Sequence, residues 1–365
     1  MWRGVRFLML NWRDLRNPLA GGAERVSEAY LRALLARGHE VVWFANTFPG
    51  APREEMLEGL RVVRAGGRFT SWLAARRWAR GQESFDLVMD QHHGIPWFAP
   101  WWVKGRVVAY IHEVLGPIWS SFYPWPVSAV GRLQERWFLR RYRHTPFWTG
   151  CDFTADQLRG LGVNSVTQVS YGIDMEALDD LGEKKLEEPL RLIVVTRLAP
   201  NKRVDHVIES LRHLRKEGIQ ASLKIVGDGQ ERSRLERQAR GLPVEFAGRL
   251  AEEEKNAALR EAHLQLHASV REGWGLNITE GNAMGTPAVV YPVPGLVEST
   301  RDRETGWVAE METPQSLADG VRAALAVPDE YQRWREAGRD RARDLHWDNV
   351  LPAACDQLEA WARDG

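Results

Sequence analysis

A length of 365 residues suggests two domains, and 44% hydrophobic with 27% charged residues is the composition of an ordinary globular protein. Phe7–Leu10 is too short for a signal-peptide core and no apolar run reaches a membrane span, while Cys151 and Cys355 lie far apart with no metal-ligand spacing; a reducing, cytoplasmic setting is expected. Formal net charge is zero, yet residues 1–172 carry 22 Lys and Arg against 14 Asp and Glu, and the remainder 27 against 35, so the first half favours an anionic partner.

The chain opens with a strand over Val5–Leu10, a long loop, and a helix over Glu24–Arg37 that Gly38 ends. Strands are expected at Glu40–Ala45, Leu60–Val63, Asp86–Met89 and Arg106–Ile111, with helical stretches between them. The alternation then restarts: strand Leu190–Thr196, helix Val204–Glu217, strand Ala221–Val226, helix Glu231–Arg240, and strands Val244–Phe246 and Leu264–His267. Strands alternating with crossover helices make parallel sheets, so the fold class is α/β with two doubly wound, Rossmann-like domains whose strand carboxyl ends face one cleft. The changeover falls near Tyr171–Asp174, with charged Glu183–Glu188 as the linker; the domains are 1–172 and 173–346, and the helix within 347–365 packs back on the first.

Glu272-Gly273-Trp274-Gly275-Leu276-Asn277-Ile278-Thr279-Glu280 places two glutamates eight positions apart around a Gly-Trp-Gly turn, with a helix expected over Ile278–Met284. Glu272 then sits on a strand-to-helix loop and Glu280 on an early helical turn. Carboxylates accept from sugar hydroxyls, and glycines at a helix start free amides to face phosphate. A glutamate near a helix start is also favoured electrostatically without any function. The pattern suits a sugar joined to a diphosphate.

Five further segments accompany it: Gly21-Gly22-Ala23-Glu24, Tyr110-Ile111-His112-Glu113, Thr196-Arg197-Leu198-Ala199-Pro200-Asn201-Lys202, Val226-Gly227-Asp228-Gly229 and Phe246-Ala247-Gly248-Arg249-Leu250. In this order, and over nearly the whole length, they resemble the retaining glycosyltransferases of family 4 (GT4, glycosyltransferase group 1), which have the GT-B architecture. Glu272 and Glu280 look like that family's E-x7-E motif. The resemblance departs where Glu280 is followed by Gly281, and where Pro294-Gly295-Leu296-Val297-Glu298 replaces a Gly-Gly-x-x-Glu segment.

What the resemblance implies is transfer of a hexose from a nucleotide-diphosphate sugar to a hydroxyl acceptor, with retention, without metal and without a further cofactor; there is no Asp-x-Asp in the chain. Arg197 and Lys202 would stabilise the departing diphosphate. Glu272 would bind sugar hydroxyls, Glu280 the ribose, and the amides of Gly273, Trp274, Gly275 and Leu276 the sugar and diphosphate. Gly227, Arg249 and Leu250 would lie beside the base, Gly21 and Gly22 would close on phosphate or acceptor, and His112 would sit near the sugar's reacting carbon. His92 and His93 are weaker candidates for the acceptor. A sugar-nucleotide 2-epimerase of similar architecture and a non-catalytic sugar-nucleotide-binding scaffold are the rival readings.

The first domain interleaves aromatics with arginines: Phe69, Trp72 and Trp78 within Arg64–Arg80, then Trp97, Phe98, Trp101, Trp102, Trp119, Phe122, Tyr123, Trp125, and Trp137 and Phe138 within Arg132–Arg143. Three readings stay open. These residues serve peripheral contact with the inner membrane face and a lipid-linked acceptor, or stacking on a soluble acceptor, or simply a core under solvated charge. Nucleic acid is not expected, since no recognised binding module accompanies the charge.

Overall fold

Arg6–Leu10 (β1) has four successive buried apolar residues and no turn former, the pattern of a strand covered on both faces. The computed structural model describes residues 4–67 and 69–363, with the side chains of Pro117, Ser121 and Phe122 outside the described set, so expectations touching Arg68 and the Phe122 ring lie outside the described residues. The chain divides into two compact units, Met1–Gly172 with Trp347–Gly365, and Ile173–His346.

In the first unit β1 is followed by Gly22–Ala36 (α1), Glu40–Ala45 (β2), Glu54–Leu57 (β3), Leu60–Arg64 (β4), Ser71–Ala79 (α2), Leu87–His92 (β5) and Arg106–Ile111 (β6). Trp119–Phe122 (α3), Val127–Arg141 (α4), Phe147–Thr149 (β7), Asp152–Gly160 (α5) and Val166–Gln168 (β8) complete it before the chain leaves. Among the described residues the eight strands order as β3-β4-β2-β1-β5-β6-β7-β8, parallel throughout except β3 on β4. Order reverses between β1 and β5, which pair from Phe7 with Leu87 to Leu10 with Asp90. Loops leaving the carboxyl ends of those two strands therefore diverge and leave a crevice.

Three strands of this unit were not expected from the sequence. β3 is a charged edge strand, Glu54-Glu55-Met56-Leu57, whose alternate residues face water. β7 and β8 are three residues each, too short for periodicity to show.

The second unit contains Leu190–Val195 (β9), Val204–Lys216 (α6), Ala221–Val226 (β10), Arg232–Gln238 (α7), Val244–Gly248 (β11), Glu252–Glu261 (α8) and Leu264–His267 (β12). Leu276–Ala283 (α9), Ala288–Val290 (β13), Pro294–Ser299 (α10), Gly306–Val308 (β14), Pro314–Leu325 (α11) and Pro328–Asp344 (α12) follow. Its sheet is all parallel in the order β11-β10-β9-β12-β13-β14, so the reversal lies between β9 and β12. Leu192, Val194, Leu223, Ile225, Leu264 and Leu266 form the core of that sheet beneath Val207, Leu211 and Leu214 of α6.

Glu183–Glu188 is not a linker. The stretch lies inside the second unit, where Lys184 Nζ donates to the carbonyls of Arg260 and Ala262 at 2.9 and 2.7 Å, and Leu186 is buried. Its high charge gave the wrong sign because a lysine can bury its stem while its ammonium caps helix-end carbonyls. Trp347–Arg363 (α13) belongs to the first unit: Trp347 meets Tyr30 edge-on at 5.4 Å, and Arg37 pairs with Glu359 at 2.9 Å.

Candidate active site

In the second unit the reversal point gathers three segments. The first leaves β9 and runs through Arg197 into a short turn, Pro200–Lys202, that ends in Arg203 with φ +47°. The second leaves β12 through Ser269 and Glu272. It is tied to the first by the Val270 amide, which donates to the Asn201 carbonyl at 2.9 Å. The third is the start of α9. Gly275 takes φ +103° just before the helix, a left-handed conformation that strains any other side chain, and an added Cβ would meet Ser299 Oγ at 2.9 Å. The helix consequently begins at Leu276, two residues earlier than expected, and Glu280 lies on its second turn.

Glu272 is the centre of the arrangement. Its Oε1 accepts from Lys202 Nζ at 2.5 Å, Ser269 Oγ at 2.7 Å and His267 Nε2 at 2.9 Å. The Asn277 amide donates to His267 Nδ1 at 3.1 Å and to the Val195 carbonyl at 2.7 Å, which leaves the imidazole proton on Nε2, facing Glu272. Burial alone would raise the Glu272 pKa, but the Lys202 ammonium and the His267 bond overcome it and hold the carboxyl well below the usual range. Glu272 is therefore a fixed carboxylate at any working pH.

Behind Glu272 the backbone is close-packed. A Cβ on Gly295, at the start of α10, would fall 2.2 Å from the Glu272 carbonyl oxygen, so only glycine lets α10 approach this loop. The departure Pro294-Gly295 from the expected glycine pair thus retains the glycine that the packing needs. Trp274 turns its ring away from the loop face: Nε1 donates to Thr279 Oγ1 at 3.1 Å, and the Arg341 guanidinium lies 5.4 Å from its centroid.

Arg197 is exposed and takes no acidic partner among the described residues. Glu280 Oε2 accepts from Lys255 Nζ at 2.9 Å, and Lys255 also meets Glu252 at 2.8 Å. Burial acts to lower the Lys255 pKa, but the two glutamates outweigh it and raise it. The Gly227 amide donates to the Gly248 carbonyl at 2.7 Å, joining the ends of β10 and β11; Arg249 beyond them is exposed, and Leu250, like Leu276 and Val195, packs against the buried cluster that includes Val226, Leu259 and Ala283. Arg197, Lys202, Glu272, Gly275, Leu276 and Glu280 are thus gathered around one strand reversal.

In the first unit the ends of β5 and β6 hold a separate cluster. His112 Nδ1 meets Tyr171 Oη at 2.8 Å and Nε2 meets the Gln91 amide at 2.9 Å, so both ring nitrogens are occupied. Gln91 in turn accepts from Ser27 Oγ of α1 at 2.9 Å. His93 meets Asn11 Oδ1 at 3.0 Å. Burial, reinforced by His93, pushes the His112 pKa down to about 3; burial, with Arg13 and His92, pushes His93 down to about 3 as well. Both rings are neutral near pH 7. Gly21 caps α1 at φ −150°, its amide donating to Glu24 Oε2 at 2.7 Å, while Arg13 pairs with Glu24 Oε1 at 3.0 Å. Glu24 fixes the glycine loop, a role the sequence motif alone did not assign.

Sequence reasoning missed His267, Ser269, Asn277 and Lys255, the groups that hold the two glutamates, and Gln91 and Ser27 behind His112. A histidine closing the buried run Leu264–His267 was the available signal for the first of these, since a polar group there needs partners.

A model of "Glycosyl transferases group 1" matches residues 179–341, and one of "Glycosyltransferase Family 4" matches residues 20–177. A glycogen synthase of Mycobacterium tuberculosis is 26% identical over 391 residues, covering 96% of this chain and 93% of that protein. A GDP-mannose-dependent alpha-(1-6)-phosphatidylinositol dimannoside mannosyltransferase of the same organism is 29% identical over 218 residues, covering 58% of this chain and 56% of that one. Among solved structures, Anabaena HepE in complex with UDP-glucose superposes with a TM-score of 0.73 at 15% identity, covering 97% of this chain and 99% of that chain. With one family model on each unit and the parallel-sheet folds matching, the chain belongs to the group 1, family 4 glycosyltransferases and has the GT-B fold.

Proposed function

We propose that this glycosyltransferase moves a hexose from a nucleoside diphosphate to a hydroxyl acceptor with retention of anomeric configuration, using fixed protein cations rather than a divalent metal. The observation that carries the reading is the Lys202–Glu272 contact, with Arg197, exposed and without an acidic partner among the described residues, on the same loop after β9 as Lys202. Lys202 has two further N–H donors for phosphate while one holds the carboxylate that would accept from the sugar's hydroxyls. Donor and clamp are thereby locked in one geometry.

In the reaction the bond from the sugar's anomeric carbon to the β-phosphate oxygen breaks, and the bond to the acceptor oxygen forms on the same face. The acceptor's proton passes to the departing phosphate. Charge grows on the diphosphate as it leaves, so Lys202, Arg197 and the first amides of α9 bind the transition state better than the ground state. Glu280 Oε1, opposite the oxygen held by Lys255, would accept from a ribose hydroxyl. The fixed carboxylate of Glu272 is an acceptor of hydroxyls here, not a proton donor. The uncharged imidazole of His112, held by Gln91 and Tyr171, would hydrogen-bond the donor sugar only by exchanging one of those partners.

The test is to follow proton NMR of a donor turned over in excess EDTA. Nucleoside diphosphate release that requires an acceptor, with the product sugar in the donor's anomeric form, supports the reading. An inverted product, or turnover abolished by EDTA and restored by magnesium, contradicts it. Isomerisation of the donor without any acceptor favours the epimerase instead.

A further inference from the structure

Along α4, Val127, Val130, Leu133 and Trp137 recur at steps of three and four, which puts them on one helical face. All four are exposed, Leu133 at 70%, and Trp125 just before the helix at 80%. Trp101, also exposed, lies 6.5 Å from the Trp137 ring and stacks on Phe98 at 5.4 Å. Ser128, Gly131, Glu135 and Leu139 make the opposite, buried face. Single exposed apolar residues are ordinary, but a continuous row is not.

Charge on the same helix is one-sided. Between residues 114 and 151 the only acidic residue is Glu135, and its carboxylate is turned inward to accept from the Leu115 and Gly116 amides, each at 2.7 Å. Arg132, Arg136 and Arg140 have no ion pair among the described residues, and Arg141 lies over the Trp137 ring at 5.1 Å. On α7 and α11, by contrast, Arg232, Arg234 and Arg322 each pair with an acid three or four residues away. Arg132 and Arg136 also line a groove of about 710 Å³ floored by Val114, Leu139 and Leu161.

We propose that this face of α4, with Trp125 and Trp101, docks the protein on the anionic surface of a lipid bilayer. Valine, leucine and tryptophan would enter the boundary between headgroups and acyl chains, while the arginine stems extend to the lipid phosphates. Nucleic acid offers the same charge but nothing to bury Val127, Val130 and Leu133. The assignment is independent of the donor chemistry proposed above.

The full chain is sedimented with vesicles of phosphatidylcholine alone and with 30 mol% phosphatidylglycerol, a composition set at roughly the anionic fraction that gives a substantial surface potential. Binding is expected only to the anionic vesicles, weakening as salt rises. The double variant Arg136→Glu, Arg140→Glu should lose about tenfold or more in partitioning, and Leu133→Asp should also reduce it. These side chains are exposed, so an unchanged thermal melt separates lost docking from lost fold. Equal binding to both vesicles, or wild-type binding by the charge-reversed variant, would overturn the proposal. So would no vesicle binding together with a concentration-dependent dimer that Leu133→Asp dissociates, since the face would then join two copies.

Discussion

Lys202 Nζ and Glu272 Oε1 stand 2.5 Å apart, joining the loop after β9 to the loop after β12 across the reversal of the second sheet. Removing the ammonium by Lys202→Met leaves Glu272 with His267 and Ser269 as partners, so the fold is retained while a transition-state cation is lost. Turnover should fall about 10²-fold or more with a smaller change in donor KM. Steady-state kinetics on the folded variant checks this, and an unchanged kcat would remove Lys202 from the clamp.

The same variant should shift the acid limb of the rate profile. In the wild type the depressed pKa of Glu272 means its stabilising charge is present above the ordinary carboxylate range and is lost only as pH falls through its lowered value. Without Lys202 that value rises, so Lys202→Met should lose residual activity at a higher pH than wild type loses its own. An acid limb at the same pH in both proteins would show that Glu272 does not control it.

His112 and His93 have folded pKa values near 3, below the ~6.5 of an unfolded histidine. The unfolded chain therefore takes up protons first as pH drops, and stability is lost between about 6.5 and 3. The melting temperature should fall by several degrees from pH 7.5 to pH 4.5. His112→Gln should flatten part of that slope; an identical slope in the variant would contradict the buried, neutral assignment.

Gly295→Ala adds a carbon 2.2 Å from the Glu272 carbonyl, so the Glu272 loop must move. A misplacement of this size at a positioned carboxylate is expected to reduce kcat/KM about 10²-fold while the cooperative melt persists. Activity within twofold of wild type would mean that the loop position is not critical.

Glu280→Ala should weaken nucleoside diphosphate binding by about tenfold or more, the scale of a hydrogen bond to a charged group, with Lys255 still held by Glu252. Titration calorimetry reads this directly, and wild-type affinity would refute the ribose role.

The alternation of apolar runs made both parallel sheets legible, because strands covered on both faces must be apolar throughout. The strand Leu264–His267 and the glutamate spacing likewise placed the centre of the candidate site. Edge strand β3 and the three-residue β7, β8, β13 and β14 were not legible, since neither alternation nor length distinguished them from loops. Lys184 misled for a related reason: its ammonium is satisfied by carbonyls 76 and 78 residues away, a relationship that local charge does not reveal. Lys255 reaches Glu280 from 25 residues away, a contact only folding brings about, whereas His267 lies five residues from Glu272 and Asn277 acts on it through His267.

The most direct test of the metal-free cationic clamp is the thermal shift of wild type and Lys202→Met with UDP, GDP, ADP and dTDP, in EDTA and in magnesium. A diphosphate at 100 times its dissociation constant should add about 2.7 kcal/mol to the wild type. The account predicts that one of them raises the wild-type melt equally in EDTA and in magnesium, and raises that of Lys202→Met much less. A shift that needs magnesium, or that survives unchanged in the variant, would contradict it.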